Sequence, residues 1–277
     1  LTPTSVQAKD KKKMINSQDI WNRLDQIRTS KPLILSITNI VVTNITANML
    51  LALGASPAMA VSGDEIEELA SLSSALVLNM GTPSVSQIKT MNLAAARARE
   101  LEVPVVLDPV GAGASRMRTR APLDLLDKGL VSILRGNASE IMALGGEAGK
   151  PRGVDSLHGS DQAVEAAAGL SNKYGCVVCV SGEQDFIVSG NQVGKVLNGH
   201  PMMTLVTGMG CSSTCLVAAF SAVEKDYFKA SLMGMGIMGI CGEEAAGQVR
   251  GPGSLESAFL DMLYNLDSQS LQGIRMG

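Results

Sequence analysis

The stretch ALVLNMGTPSVSQIKTMNLAAARARELEVPVVLDP, residues 75–109, decides the fold of this 277-residue chain. Two short, unbroken apolar runs, 75–79 and 104–107, flank the segment 84–100, which has the length and composition of a helix. Neither run alternates apolar with polar residues, as a strand with one solvated face would. Continuous apolar strands separated by helices are what a parallel sheet covered on both faces requires. The unit therefore reads as strand, right-handed crossover helix, strand.

The same rhythm extends in both directions. Upstream, a helix is predicted over 17–28, capped by Ser17, with Asp19 in its first turn and Ile20, Leu24 and Ile27 as its apolar stripe. A buried strand over 33–37, a helix over 44–53 ended by Gly54, a short strand over 58–61 and a helix over 65–73 follow. Downstream come a helix over 121–128, a strand over 131–134, helices over 139–144 and 161–174, and a strand over 176–181. The runs 186–188 and 193–197 form a hairpin at one sheet edge, and 212–223, 227–247 and 255–266 are helical. The sequence lacks both an internal repeat and a low-complexity linker. The expectation is one doubly wound α/β domain over 14–277, with 1–13 a leader and Met14 a candidate start. In such sheets ligands bind at the carboxyl ends of the strands, so residues that immediately follow strands carry the functional expectation.

Composition narrows the classes of function. Hydrophobic residues make up 45% and charged residues 18%, enough for a large core. Aromatics are only 3% and the net charge is -3, which argues against a nucleic-acid partner. Five cysteines, an odd number in a long chain, suggest a reducing compartment, and the leader lacks the apolar core of a secretory signal; the expected location is the cytoplasm. The most apolar stretches, 45–61 and 214–223, are interrupted or too short to span a membrane.

Three segments carry chemistry. The first, Asp108-Pro109-Val110-Gly111-Ala112-Gly113-Ala114, puts a carboxylate at a strand end and glycines where backbone can approach a ligand; an Asp that merely caps the next turn has the same pattern. The second, Arg135-Gly136-Asn137-Ala138-Ser139-Glu140, suits a hydrated Mg²⁺ beside phosphates and equally suits a capping box. The third, Val206-Thr207-Gly208-Met209-Gly210-Cys211-Ser212-Ser213-Thr214, precedes an apolar helix. Backbone N–H groups freed by glycine and the positive helix end make an anion hole, and the same potential should lower the pKa of the Cys211 thiol, which makes Cys211 a candidate catalytic proton acceptor or nucleophile. A buried cysteine in a tight turn is the alternative.

The order of these segments resembles the hydroxyethylthiazole kinase family. Further matching runs are Ile37-Thr38-Asn39, Asn44-Ile45-Thr46-Ala47-Asn48, Leu53-Gly54-Ala55-Ser56-Pro57, Gly153-Val154-Asp155-Ser156 and the Gly208-x-Gly210-Cys211 loop, from about residue 32 to the C-terminal helices. The Asn-x-x-Glu element and the glycine loop are shared across ribokinase-like kinases, where an Asp usually holds the place of Cys211. By this resemblance the fold is ribokinase-like, with a mostly parallel sheet and helices on both faces. The reaction it implies is ATP-dependent phosphorylation of a thiazole alcohol, with Mg²⁺, in thiamine biosynthesis. The resemblance assigns Met59 and Gly208 to the thiazole, Arg135 and Ser181 to the nucleotide, Asp108 and Glu140 to Mg²⁺, and Cys211 to the reacting hydroxyl. It implies a homotrimer with sites between subunits, Asn39 reaching into a neighbour's pocket. Leu35 and Met209 depart from the family pattern and are expected to touch substrate fit and loop packing respectively. A lyase on the same superfamily fold, a kinase for another small alcohol and a catalytically silent binder are the rival readings.

Other signals point away from function. Gly234-x-Gly236-x-x-Gly239 matches a dinucleotide fingerprint but has no strand before it, so close helix packing is expected. Cys176 and Cys179 lie three apart on a strand and face opposite ways, which makes them core rather than ligands. His158 and His200 have no nucleophile near them in sequence, and the 15 methionines are scattered core filler.

Overall fold

The computed structural model describes residues 15–148 and 159–277. The expected leader, the Gly153-Val154-Asp155-Ser156 run and His158 lie outside the described residues. In chain order the first half comprises α1 Ser17–Ser30, β1 Leu33–Ile37, α2 Thr43–Leu53, β2 Ser56–Met59, α3 Ile66–Leu72, β3 Ala75–Asn79, α4 Val85–Glu100, β4 Val105–Asp108 and α5 Arg116–Asp127. The second half comprises β5 Ile133–Asn137, α6 Ala138–Ala148, α7 Gly159–Tyr174, β6 Val177–Ser181, β7 Asp185–Ser189, β8 Gln192–Val196, α8 Met209–Ser221, α9 Tyr227–Gln248 and α10 Pro252–Asn265. The strands form one sheet in the order β2-β1-β3-β4-β5-β6-β7-β8. Pairing is parallel from β2 to β6 and antiparallel through the β7–β8 hairpin.

Each sheet face has its own core. Ile34, Val77, Val106 and Ile133 pack with α1, α2, α8, α9 and α10, while Leu35, Leu76, Leu107 and Leu134 pack with α3 to α7. Adjacent strand residues thus enter opposite cores, which is why the sequence shows continuous rather than alternating hydrophobicity. The chain reverses its direction of travel across the sheet between β1 and β3, and in such sheets ligands bind at the carboxyl edge beside that switch point.

The element order matches the sequence reading, and the boundary differences have local causes. Asn16, not Ser17, caps α1, in a reciprocal capping box with Asp19. β2 starts before Pro57 rather than after it: Ser56 N and Ala60 N donate toward β1 at 3.0 and 3.1 Å, so the alternating Pro57 nitrogen faces away, as an edge strand permits. α5 begins at Arg116, capped by Ser115, and runs through Pro122, where a helix start was expected. α8 begins at Met209, three residues before the expected 212, so Cys211 lies in the helix itself and the glycine loop follows a 3-10 turn, Pro201–Leu205, instead of a strand. Glycine's low helix propensity hid that first turn, which tertiary packing supplies.

The α9 glycines are packing devices. A Cβ on Gly234 would lie 2.7 Å from Val217 Cα and 2.8 Å from Val217 N, so α8 and α9 cross with backbone nearly in contact. A Cβ on Gly239 would meet Asn198 O at 2.7 Å. Leu35 is wholly buried in the α3–α7 core and Met209 is buried in the other core, so both departures from the family pattern are packing residues. Gly234→Ala should cost about 1–3 kcal/mol in urea unfolding despite alanine's better helix propensity, because the crowded atoms are backbone. An unchanged urea midpoint would show that the α8–α9 crossing can yield.

Candidate active site

The parallel register decides which side chains meet at the carboxyl edge. Asn79 at the end of β3 lies opposite Asp108 at the end of β4, and Leu107 lies opposite Leu134, which sets Asp108 beside Arg135 of β5. Asn137 in turn lies opposite Ser181 of β6. Asn39 follows β1 across the switch point, and the start of α8 descends onto this row.

Asp108 is 1% exposed. Its Oδ2 accepts hydrogen bonds from Asn79 Nδ2 at 2.9 Å and Thr214 Oγ1 at 2.8 Å, and Arg135 Nη1 stands 4.0 Å away. No described residue hydrogen-bonds Oδ1. Burial pushes the Asp108 carboxyl up to about 6; Arg135 and the two donors oppose that rise, and Glu140 adds to it. Arg135 is 7% exposed and donates from Nη2 to Ser181 Oγ at 2.7 Å. Its Nε is buried without a partner. A guanidinium this deeply buried, with its nearest carboxylate at 4.0 Å, is an under-compensated cation. Gly210 passes it so closely that a Cβ there would lie 3.2 Å from Nη1.

Glu140 is held by backbone. Its Oε1 accepts from Gly111 N at 2.9 Å and its Oε2 from Asn137 N at 2.8 Å, while Asn137 Oδ1 accepts from Glu140 N at 3.0 Å. The Asn-x-x-Glu element is therefore a capping box for α6, and it also locks the loop after β4 to the loop after β5. Arg118, which the sequence reading did not single out, performs the matching task one strand over. Its Nη1 donates to Met80 O and Val110 O at 2.9 Å each, and its Nη2 to Gly81 O at 2.7 Å.

Gly208 caps α8 with φ +89°, a left-handed conformation that a side chain would strain, and a Cβ there would meet Ile45 Cγ2 at 2.6 Å. Cys211 sits in the first turn with Asn39 Nδ2 3.8 Å from its Sγ. The thiol runs against the sequence expectation: burial pushes it up to about 11, and the Asp108 charge reinforces that rise. The positive helix end does not prevail because the sulfur is desolvated and faces a carboxyl group. Asn39 is buried at the same edge. It is 4% exposed, and its Nδ2 lies against Cys211 Sγ of its own chain.

Asn39, Asp108, Arg135, Glu140, Ser181 and Cys211 are thus joined by short contacts or by a shared strand edge. Met59 ends β2, beside Ser36 of β1. The residues missed from sequence are Asn79, Thr214 and Arg118. Asn79 ends an apolar strand, the signal that selected Asp108, whereas nothing local marks Thr214 inside an apolar helix.

Fold and edge chemistry together define a class: a ribokinase-like α/β protein with a buried guanidinium, two carboxylates and a glycine-walled helix start at the carboxyl edge of its sheet. The chain belongs to the hydroxyethylthiazole kinase family, whose model matches residues 24–269. A hydroxyethylthiazole kinase from Oleidesulfovibrio alaskensis is 50% identical over 249 residues, covering 90% of this chain and 94% of that protein. One from Nitratidesulfovibrio vulgaris strain DP4 is 48% identical over 254 residues, covering 92% and 95%. The solved hydroxyethylthiazole kinase protein from Pyrococcus horikoshii OT3 superposes with a TM-score of 0.88 at 38% identity, covering 94% of this chain and 98% of that one. A pyridoxal kinase from Staphylococcus aureus, at a TM-score of 0.60, 15% identity and coverage of 76% and 88%, shares the fold.

The Asp108 carboxyl makes stability depend on pH. Its folded pKa lies above its unfolded value, so the protonated form stabilises the fold below pH ~4, and that contribution is lost as pH rises through about 6. Asp108→Asn cannot ionise and keeps an oxygen for Asn79 and Thr214. It should unfold at a higher urea concentration than the parent above pH 6, by up to about 3 kcal/mol, with the margin closing toward pH 4. A margin independent of pH would show that Asp108 titrates normally.

Proposed function

We propose that the protein transfers the γ-phosphoryl group of ATP to the hydroxyl of 4-methyl-5-(2-hydroxyethyl)thiazole, the salvage step that supplies the thiazole half of thiamine. The observation that carries this reading is the buried Arg135 guanidinium with its unpartnered Nε beside the Gly208–Gly210 helix start. Both features favour an anion of high charge, and family membership supplies its identity as the ATP triphosphate. Ser181 and Arg135 bind the nucleotide; Met59 and Gly208 contact the thiazole ring; Cys211 stands by the acceptor hydroxyl.

The donor set fits a Mg²⁺ that arrives with ATP. Among the described residues no donor reaches Asp108 Oδ1, and Glu140 adds to the rise in the Asp108 pKa. Among the described residues no group of three or more His, Cys, Asp or Glu could hold a metal ion unaided. Mg²⁺ at phosphoryl-transfer sites is commonly held by one or two carboxylates together with phosphates and water. When bound, it neutralises phosphate charge. The protein's own residues then position the alcohol in line with the γ-phosphorus. A bond forms from the hydroxyl oxygen to phosphorus, the bond to the bridging oxygen breaks, the hydroxyl proton passes to water, and ADP leaves.

The active form we propose is a homotrimer in the cytoplasm with sites at subunit interfaces. Ile40 (84% exposed), Val41 (62%), Val61 (84%) and Val85 (75%) leave an apolar rim around the carboxyl edge of β2, β1 and β3. A neighbour would cover that rim and supply an apolar wall, while Asn39 serves its own chain. No helix among the described residues is long and apolar enough to cross a membrane.

Two outcomes follow. Mass spectrometry of reactions with ATP, Mg²⁺ and a panel of hydroxyethyl heterocycles should give the thiazole phosphate monoester and ADP, with chelator abolishing both. Nucleotide turnover without a phosphate ester would favour a lyase, another ester a different alcohol kinase, and binding without product a silent relative. Cys211→Ala should lose less than about tenfold in kcat, by a factor constant from about pH 6 to pH 9, because a thiol pushed up to about 11 is only ~0.1% thiolate at pH 8. A factor that climbs tenfold per pH unit would restore the thiolate as base.

A further inference from the structure

The site contains a run of side-chain hydrogen bonds that the roles above leave unused. Asn39 Oδ1 accepts from Val41 N at 3.0 Å, and Asn79 Oδ1 accepts from Gly81 N at 3.0 Å. A backbone N–H can only donate, so each of these contacts identifies the oxygen of its amide and fixes the other end as the donor. The remaining bonds then have one direction: Asn39 Nδ2 to Asn79 Oδ1 at 2.7 Å, and Asn79 Nδ2 to Asp108 Oδ2 at 2.9 Å. Thr214 Oγ1 donates to the same Oδ2 at 2.8 Å. Asn39, Asn79 and Asp108 are 4%, 1% and 1% exposed, so water does not compete for these bonds.

We infer that Asn79 is a positioning residue: it turns Asp108 so that Oδ2 faces the protein and Oδ1 faces the reacting groups, and it links that orientation to Asn39 beside Cys211. The inference rests on the reading of this edge as a phosphoryl-transfer site and adds to it a residue that touches neither substrate. Two donors converging on one carboxylate oxygen fix the plane of the group, whereas Thr214 alone would leave it free to turn. The residue type follows from the register. Asn79 and Asp108 are lateral partners on adjacent parallel strands, about 4.8 Å apart, so a side chain of one methylene reaches between them. Gln would overshoot. Asp would replace the donor by an acceptor and set two carboxylate oxygens against each other.

The test uses the full chain and four variants: Asn79→Ala, Asn79→Asp, Asn39→Ala and the double Asn39→Ala/Asn79→Ala. Asn79→Ala should lower kcat by about 10–100-fold, the range for a hydrogen bond to a charged group, with KM for ATP and for the alcohol within about threefold. Crystals of Asn79→Ala without ligands should place the Asp108 carboxylate in a rotated or split position. Asn39→Ala should cost less than about threefold when added to Asn79→Ala, although it costs more in the parent, because the linkage is already cut. If Asn79→Ala does not fold, Asn79→Asp decides, since it keeps both bonds onto Oδ1 and reverses only the one to Asp108; it should lose at least as much kcat. An unmoved Asp108, additive losses or an Asn79→Asp variant as fast as the parent would each overturn the assignment. Failure of the parent to phosphorylate any alcohol would overturn the functional reading instead, and the crystals would still decide the positioning role.

Discussion

Parallel register is the constraint on which the site depends. Six adjacent strands run the same way, so side chains far apart in sequence become lateral neighbours at one edge. A one-residue slip along β4 would turn Asp108 toward the opposite core and dissolve the site. The two cores prevent such a slip, because adjacent apolar residues of β3, β4 and β5 are already committed to opposite faces. The same packing that holds the sheet thus fixes the chemistry at its edge.

That edge is expensive for the apo fold. Asp108 and Arg135 are buried 4.0 Å apart, and Arg135 Nε has no partner. Desolvation on this scale is commonly not recovered by the pair itself. The surroundings limit the damage: Asn79, Thr214 and Ser181 satisfy part of the charge, and Arg118 and Glu140 tie the loops after β3, β4 and β5 so that the groups cannot drift apart. An arrangement preorganised in this way needs little reorganisation when charge develops on a transferring phosphoryl group.

Cys211 illustrates how burial outweighs a helix dipole. Its place in the first turn of α8 would by itself favour a thiolate, yet the sulfur is desolvated and shares its surroundings with Asp108. A neutral thiol can still accept a weak hydrogen bond from Asn39. A place at the helix start and the capacity to take a proton are separate properties, and the fold supplies only the first.

The sequence by itself determined the α/β class, the order of its strands and helices and the edge hairpin, because these rest on local hydrophobic runs and on what glycine and proline permit. It also marked Asp108, Arg135 and Glu140 by their place at strand ends, and the family resemblance added Asn39, Ser181 and Cys211. It left open whether Asn137 and Glu140 cap a helix or face a ligand; the structure makes them a capping box that also braces the site. Asn79, Thr214 and Arg118, the direction of Asn39 and the raised pKa of Cys211 were decided by tertiary structure alone. Each depends on which strand lies beside which and on how much water the packed edge excludes, and neither quantity is carried by any local stretch of the chain.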